Sequence, residues 1–264
     1  MPIHKLEPSY HERVWGATRL EPWFPNSPVK IGEVWFDGSG LEDAPSNLPL
    51  IKFLFTTDKL SVQVHPADEY ARLHHQSPGK TEMWHVLAAE PGARIAAGFR
   101  EPVTRDQVRE AATSGEIENL LQWYDAKPGD TFFIPAGTVH AIGAGLTICE
   151  IQQRSDITYR LYDYGRPREL HLDRGLEVAR LSPSEVRATL PVACPYFVTS
   201  HVGSPSDFYR DQLLVVTEGA GSAAGVSFRQ GDVLFVARET DEVFESKGHV
   251  QLLSIRVPPD GHRR

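Results

Sequence analysis

The feature that most limits the fold is the length of the apolar runs. "LPLIKFLFTT", "LSVQVH", "TEMWHVLAA", "ARIAAGF", "DTFFIPAGTVHAI", "LTICEIQQ" and "ITYRLYDY" are short and rich in β-branched and aromatic residues. Runs of this size make strands, and a strand is what turn-forming residues on either side allow. Twenty prolines and 21 glycines, spread along the chain rather than clustered, supply those turns. A mainly β architecture, barrel or sandwich, follows. Three segments read as helices set into it: "PADEYARLHH" with Pro66 at the first helical position, "TRDQVREAAT" with a capping box from Thr104 to Gln107, and "SPSEVRATL" with one from Ser182 to Glu185. The prolines around 181–195 mark a boundary before strands resume at "YFVTSHV", dividing the chain into 1–190 and 191–264.

With 264 residues, 41% hydrophobic and 23% charged, the chain has material for a sizeable core. A net charge of −8 with no dense Lys/Arg run speaks against nucleic acid or an anionic membrane as partner, so an anionic ligand must be held by local charges. No apolar stretch approaches a membrane span. Only Cys149 and Cys194 occur and the first residues lack an apolar leader, which makes the cytoplasm the expected location.

In "LSVQVHP" strand alternation puts Gln63 and His65 on one face and Val62 and Val64 on the other. Taken alone, that is either a half-solvated strand or one wall of a metal site. "GDTFFIPAGTVH" decides which deserves pursuit. Gly129 turns into a strand, and Pro135 with Gly137 bends the chain to deliver His140. Its spacing resembles the second signature motif of the cupins, small jelly-roll barrels that often hold a metal. A weaker echo, "RQGDVLFVARETDEVF", aligns Gly231-Asp232 with Gly129-Asp130 and sets Glu242 opposite His140. If the repeat holds, a second barrel kept the scaffold and lost the site.

"WGATRL", "IGEVW", "LSVQVHP", "GKTEMWHVL", "PAGTVHAI" and "EIQQRSDITYRLYDYGR", in this order, resemble type I mannose-6-phosphate isomerases. The likeness covers some two thirds of the chain and departs in small ways, such as "WGA" for the usual "WGG". It implies two cupin-type barrels, the second degenerate, with 1–190 as the catalytic part. It implies one zinc per chain, held by Gln63, His65, Glu82 and His140, with other divalent ions able to substitute. Arg160, Glu150 and Lys80 take catalytic positions, and Ser61 and Arg166 match positions implicated in holding the substrate phosphate. The implied reaction interconverts mannose 6-phosphate and fructose 6-phosphate through an enediol. Two alternatives stay open at this point: isomerisation of another sugar phosphate, and a non-catalytic sugar-binding cupin.

Overall fold

A computed structural model describes residues 3–38, 40–41, 44–202, 211–237, 244–246 and 248–258. Its elements begin with β1 (Ile3–Lys5), β2 (Ser9–Ala17), β3 (Ile31–Phe36), β4 (Leu50–Thr56), β5 (Val62–Val64) and helix α1 (Asp68–His75). There follow β6 (Glu82–Ala89), β7 (Arg94–Phe99), α2 (Arg105–Ser114), α3 (Ile117–Leu120), β8 (Leu121–Asp125), β9 (Thr131–Ile134) and β10 (His140–Ile142). β11 (Leu146–Gln152), β12 (Tyr159–Tyr162), α4 (Leu172–Val178), β13 (Arg187–Ala188) and β14 (Val192–Ala193) come next. The last group is β15 (Val198–His201), β16 (Gln212–Glu218), β17 (Ala220–Ala223), β18 (Val226–Arg229), β19 (Val233–Val236), β20 (Phe244–Ser246) and β21 (Gln251–Arg256). The architecture is mainly β, as the short apolar runs require.

The first barrel sets a seven-stranded sheet, β13-β9-β6-β11-β4-β3-β2, against a five-stranded one, β12-β5-β10-β7-β8. Leu54, Trp84, Val86, Phe132 and Ile148 from the first meet Ile95, Ala97 and Ile142 from the second in one apolar cluster between them. The outer face of the five-stranded sheet is covered by the helices, with Val64, Ala96 and Leu161 packed on Val108, Ala112, Ile117 and Leu176. Behind the seven-stranded sheet lies the second barrel, a six-stranded sheet β1-β19-β16-β21-β15-β14 with a small sheet β18-β17-β20. β1 therefore precedes the first barrel in the chain and pairs within the second. Alternation in the six-stranded sheet sends Leu213, Val215, Phe235, Leu253 and Ile255 toward Phe53, Ile51 and Met83 of the first barrel, and Leu214, Val216, Leu234 and Val236 to the other side. Both faces are apolar, which is why "LLVV" and "VLFV" read as unbroken runs.

The echo between the two halves has a structural counterpart. Gly129 and Gly231 both adopt positive φ, +89° and +92°. Lys127 N–H donates to Asp130 Oδ2 and Arg229 N–H to Asp232 Oδ2. The bonds of Gly129 and Asp130 with Val86 recur for Gly231 and Asp232 with Val216. Glu242 lies outside the described residues.

Two helix expectations need correction. α1 takes Ala67 as its N-cap with no side-chain cap, so Pro66 precedes the cap and does not open the helix. The capping-box sequence Ser182–Glu185 forms no helix at all. Val186 is buried, Phe133 N–H donates to its carbonyl at 2.8 Å, and Arg187 and Ala188 pair with Phe132 and Thr131. A sheet edge that needs a partner outweighs a local cap. The capping box at Thr104 and Gln107 is present in full.

Candidate functional site

β5 carries Gln63, β6 begins with Glu82 and β10 with His140. Across the five-stranded sheet, Gln63 lies opposite His140 on one side and Arg160 on the other. Directly opposed residues share a face, so these three side chains point together into the first barrel. The Pro135–Gly137 turn aims His140: Thr138 N–H bonds the Pro135 carbonyl at 3.1 Å and Gly137 N–H the His65 carbonyl at 2.8 Å. Gly137 has φ +87°, and a Cβ there would stand 3.0 Å from the Val178 carbonyl oxygen. Only glycine fits this bend without strain.

His65, Glu82 and His140 are all buried, with ligand atoms within 4.8 Å of one another. His65 Nδ1–H donates to the Ile157 carbonyl and His140 Nδ1–H to the Thr138 carbonyl, both at 2.8 Å. Each Nε2 is thereby left as a lone pair. Those lone pairs face the carboxylate, His65 Nε2 at 3.7 Å from Glu82 Oε2 and His140 Nε2 at 3.5 Å from Oε1. The Glu82 side chain is wholly buried, with the Lys80 ammonium 2.9 Å from Oε2, while Oε1 has no hydrogen-bond partner among the described residues. Lys80 relieves the His65 side of this cluster, but His140 Nε2 and Glu82 Oε1 remain two acceptors facing each other in a dry site, an arrangement that a cation between them would relieve. Burial, reinforced by Lys80, holds His65 well below its ordinary pKa, and burial brings His140 down to about 4. Both imidazoles are neutral, as metal ligands must be. The Gln63 amide lies 3.3 Å from His140 Nε2, and its Oε1 accepts from Ser61 Oγ at 3.1 Å. Turning the amide over brings its oxygen to the cluster, and the Ser61 hydroxyl can accept from the nitrogen instead. The residues fit a divalent metal.

Beside the cluster runs a chain of buried charges. Lys80 Nζ is 2.9 Å from Glu82 Oε2, 3.2 Å from His65 Nε2 and 3.9 Å from Glu150 Oε1. Burial by itself would lower the Lys80 pKa, but Glu82 and Glu150 hold it above the ordinary lysine range. Glu150 Oε2 accepts from Trp84 Nε1 at 2.9 Å. Burial, with the charge on Glu82, raises the Glu150 carboxyl, the direction a proton acceptor working near neutral pH needs. Arg160 is half-buried, has a buried Nε without a partner, and makes no ion pair among the described residues. Its position opposite Gln63 puts it on the face that carries the cluster.

Of the two phosphate candidates, Ser61 is on the inner face and bonded to Gln63. Arg166 has its donors engaged, with Asp58 Oδ2 at 3.1 Å, the Lys59 carbonyl at 2.5 Å and Asp163 Oδ1 at 3.4 Å. The sequence reading missed Lys52 and Asp156. Lys52 Nζ is 3.1 Å from Asp156 Oδ1 and 3.9 Å from Glu150 Oε1, the oxygen that Lys80 flanks from its own side. A lone lysine inside "LPLIKFLFTT" was the available signal, since a charge in a buried strand needs a partner. His85 points away from Glu82, with Nδ1 3.0 Å from Thr131 Oγ1, and His75 meets the Tyr159 hydroxyl at 2.5 Å.

Two packed jelly-roll-like barrels, the first lined by two neutral imidazoles, a carboxylate and an amide, define a metal-site protein of the cupin kind. No family model matches the chain. Mannose-6-phosphate isomerase ManA of Bacillus subtilis is 30% identical, over 94% of this chain and 96% of its own length. The crystal structure of the mannose 6-phosphate isomerase from Bacillus subtilis superposes with a TM-score of 0.83 at 25% identity, covering 97% of this chain and all of that one. The chain belongs to the mannose-6-phosphate isomerase family. A mannose 6-phosphate isomerase crystallised with zinc bound shares the fold at 15% identity, with a TM-score of 0.75 over 97% of this chain and 99% of that one.

Proposed function

We propose that the chain interconverts mannose 6-phosphate and fructose 6-phosphate by proton transfer between C2 and C1. The observation that carries this is the juxtaposition of a metal-ready cluster, His65–Glu82–His140, with a buried carboxylate of raised pKa and an unpaired arginine. Gln63, His65, Glu82 and His140 would hold one zinc per chain, a reading supported by the donor set and by the zinc-bound relative. When bound, that ion supplies Lewis acidity toward the substrate's C1 and C2 oxygens.

Glu150 removes the C2 proton. The C–H electron pair becomes the second C1–C2 bond, and the carbonyl pair moves onto O1 to give an enediolate. Return of the abstracted proton to C1, with transfer of the O2 proton to O1 as the O2 pair forms the C2 carbonyl, completes the ketose. Arg160 donates to the oxygen on which charge builds. Lys80, held protonated, serves as a fixed positive charge between Glu82 and Glu150. The phosphate is assigned to the end of β5 and β12 where Ser61 and Arg166 lie, and Arg166 can serve there only by giving up Asp58. Residues 1–190 carry the site, and 191–264 brace its sheet from behind.

A coupled assay that reports fructose 6-phosphate tests the reading, with mannose 6-phosphate and glucose 6-phosphate offered in parallel. Turnover of the first, lost on chelation and restored by zinc, is expected, with about one metal per chain in the active protein. Turnover of glucose 6-phosphate alone, or activity that survives removal of all metal, overturns it.

A further inference from the structure

The motif "IGEVW" takes no part in the site as described so far. Its strand, β3, places Trp35 directly opposite Lys52. Lys52 is opposite Glu150, and Glu150 is opposite Trp84. One row across four strands thus reads indole, ammonium, carboxylate, indole, all on the face that lines the site.

Lys52 is 1% exposed, and an ammonium so buried needs firm partners. It has Asp156 Oδ1 at 3.1 Å, but that side chain is 58% exposed. Glu150 Oε1 is 3.9 Å away, beyond hydrogen-bond reach. The third partner is the Trp35 ring, whose centroid is 4.1 Å from Nζ. Glu150 is anchored by Trp84 but lies beyond hydrogen-bond reach of Lys52, whereas the indole is both close to Nζ and held on its own far side. Trp35 Nε1 donates to Glu33 Oε2 at 3.1 Å, Arg13 Nη2 donates to the same oxygen at 2.6 Å, and the His11 ring packs against Trp35 at 4.2 Å. Trp35 is only half-buried and joins no apolar core cluster among the described residues, so packing alone does not account for it. With His11 and Lys52 both on its ring, it offers little surface for a sugar to stack on.

We propose that Trp35, fixed by Glu33 and Arg13, is a positioning residue for the isomerisation and acts through Lys52. The inference rests on the isomerase reading. Lys52 and Lys80 bracket Glu150 Oε1 at the same 3.9 Å. Release of Lys52 toward the exposed Asp156 leaves the carboxylate drawn to Lys80 alone and turned away from the C2 proton.

The test is a double-mutant cycle in the metal-loaded enzyme, with Trp35→Leu, Trp35→Phe and Lys52→Met. Trp35→Leu is expected to lower kcat about tenfold with KM within about twofold and metal content unchanged, while Trp35→Phe, which keeps an aromatic face, recovers to within about threefold of the parent. In the Lys52→Met background, Trp35→Leu should cost nothing further. An equal loss in both backgrounds, or Phe no better than Leu, overturns the positioning role in an active enzyme. A parent chain with no turnover of mannose 6-phosphate overturns the isomerase reading itself.

Discussion

His85 makes the junction between the two barrels sensitive to acid, and the size of the effect follows from its surroundings. It projects from β6 on the face opposite Glu82, bonded to Thr131, with its ring 5.9 Å from that of His201 on β15. Burial, and secondarily His201, bring its pKa from 6.5 down to about 4. A histidine depressed in the folded state is neutral there while the unfolded chain takes up a proton, so folding loses stability as pH falls below 6.5 and the loss levels off below about 4. Linkage puts the cost at about 1.4 kcal/mol at pH 5.5, about 2 at pH 5 and about 3 near pH 4. These are ceilings, because a cleft of about 590 Å³, lined by Thr131, Arg187 and His201, brings water to the edge of the site. His85→Gln keeps a polar partner for Thr131 and cannot titrate. Urea unfolding of parent and variant in chelator, at steps from pH 7.5 to 4.5, should show the variant gaining on the parent by up to these amounts as the pH drops. A stability difference that is flat with pH would falsify the assignment, as would an NMR titration of His85 near 6.5.

Arg160→Ala should reduce kcat by roughly a hundredfold or more, as for one lost preorganised donor, with metal content measured by elemental analysis unchanged. Glu150→Gln should slow exchange of the substrate C2 proton with solvent in step with isomerisation; a normal rate of either moves the base to another group. Gly137→Ala forces a side chain at φ +87° against the Val178 carbonyl, so a loss of about 1–3 kcal/mol is expected, together with weaker metal retention in competition with a chelator.

What the sequence exposed and what it hid divide along a physical line. Strands were legible where apolar runs are short and turns flank them, as in "LTICEIQQ", which is β11 up to Gln152. That Gln63 and His140 share a face was legible because strand alternation turns Gln63 inward and Pro135 with Gly137 announces the bend before His140. Ser182–Glu185 misled because its capping signal is local while the pairing of β13 with β9 is not. Lys52 and Trp35 stayed hidden for the same reason: their meaning depends on which residue lies opposite in a neighbouring strand, and cross-strand register is absent from a linear reading.

The pairing of β1 with β19 ties the order of synthesis to the order of folding. Ile3, His4 and Lys5 leave the ribosome well before their partners Val236, Phe235 and Leu234 are made. Until then Ile3, which ends at 1% exposure, has no sheet to enter, and the second barrel cannot close its edge. Separate expression of residues 1–190 and 191–264 would therefore yield one piece trailing an orphan strand and another with a bare, apolar sheet edge open to intermolecular pairing.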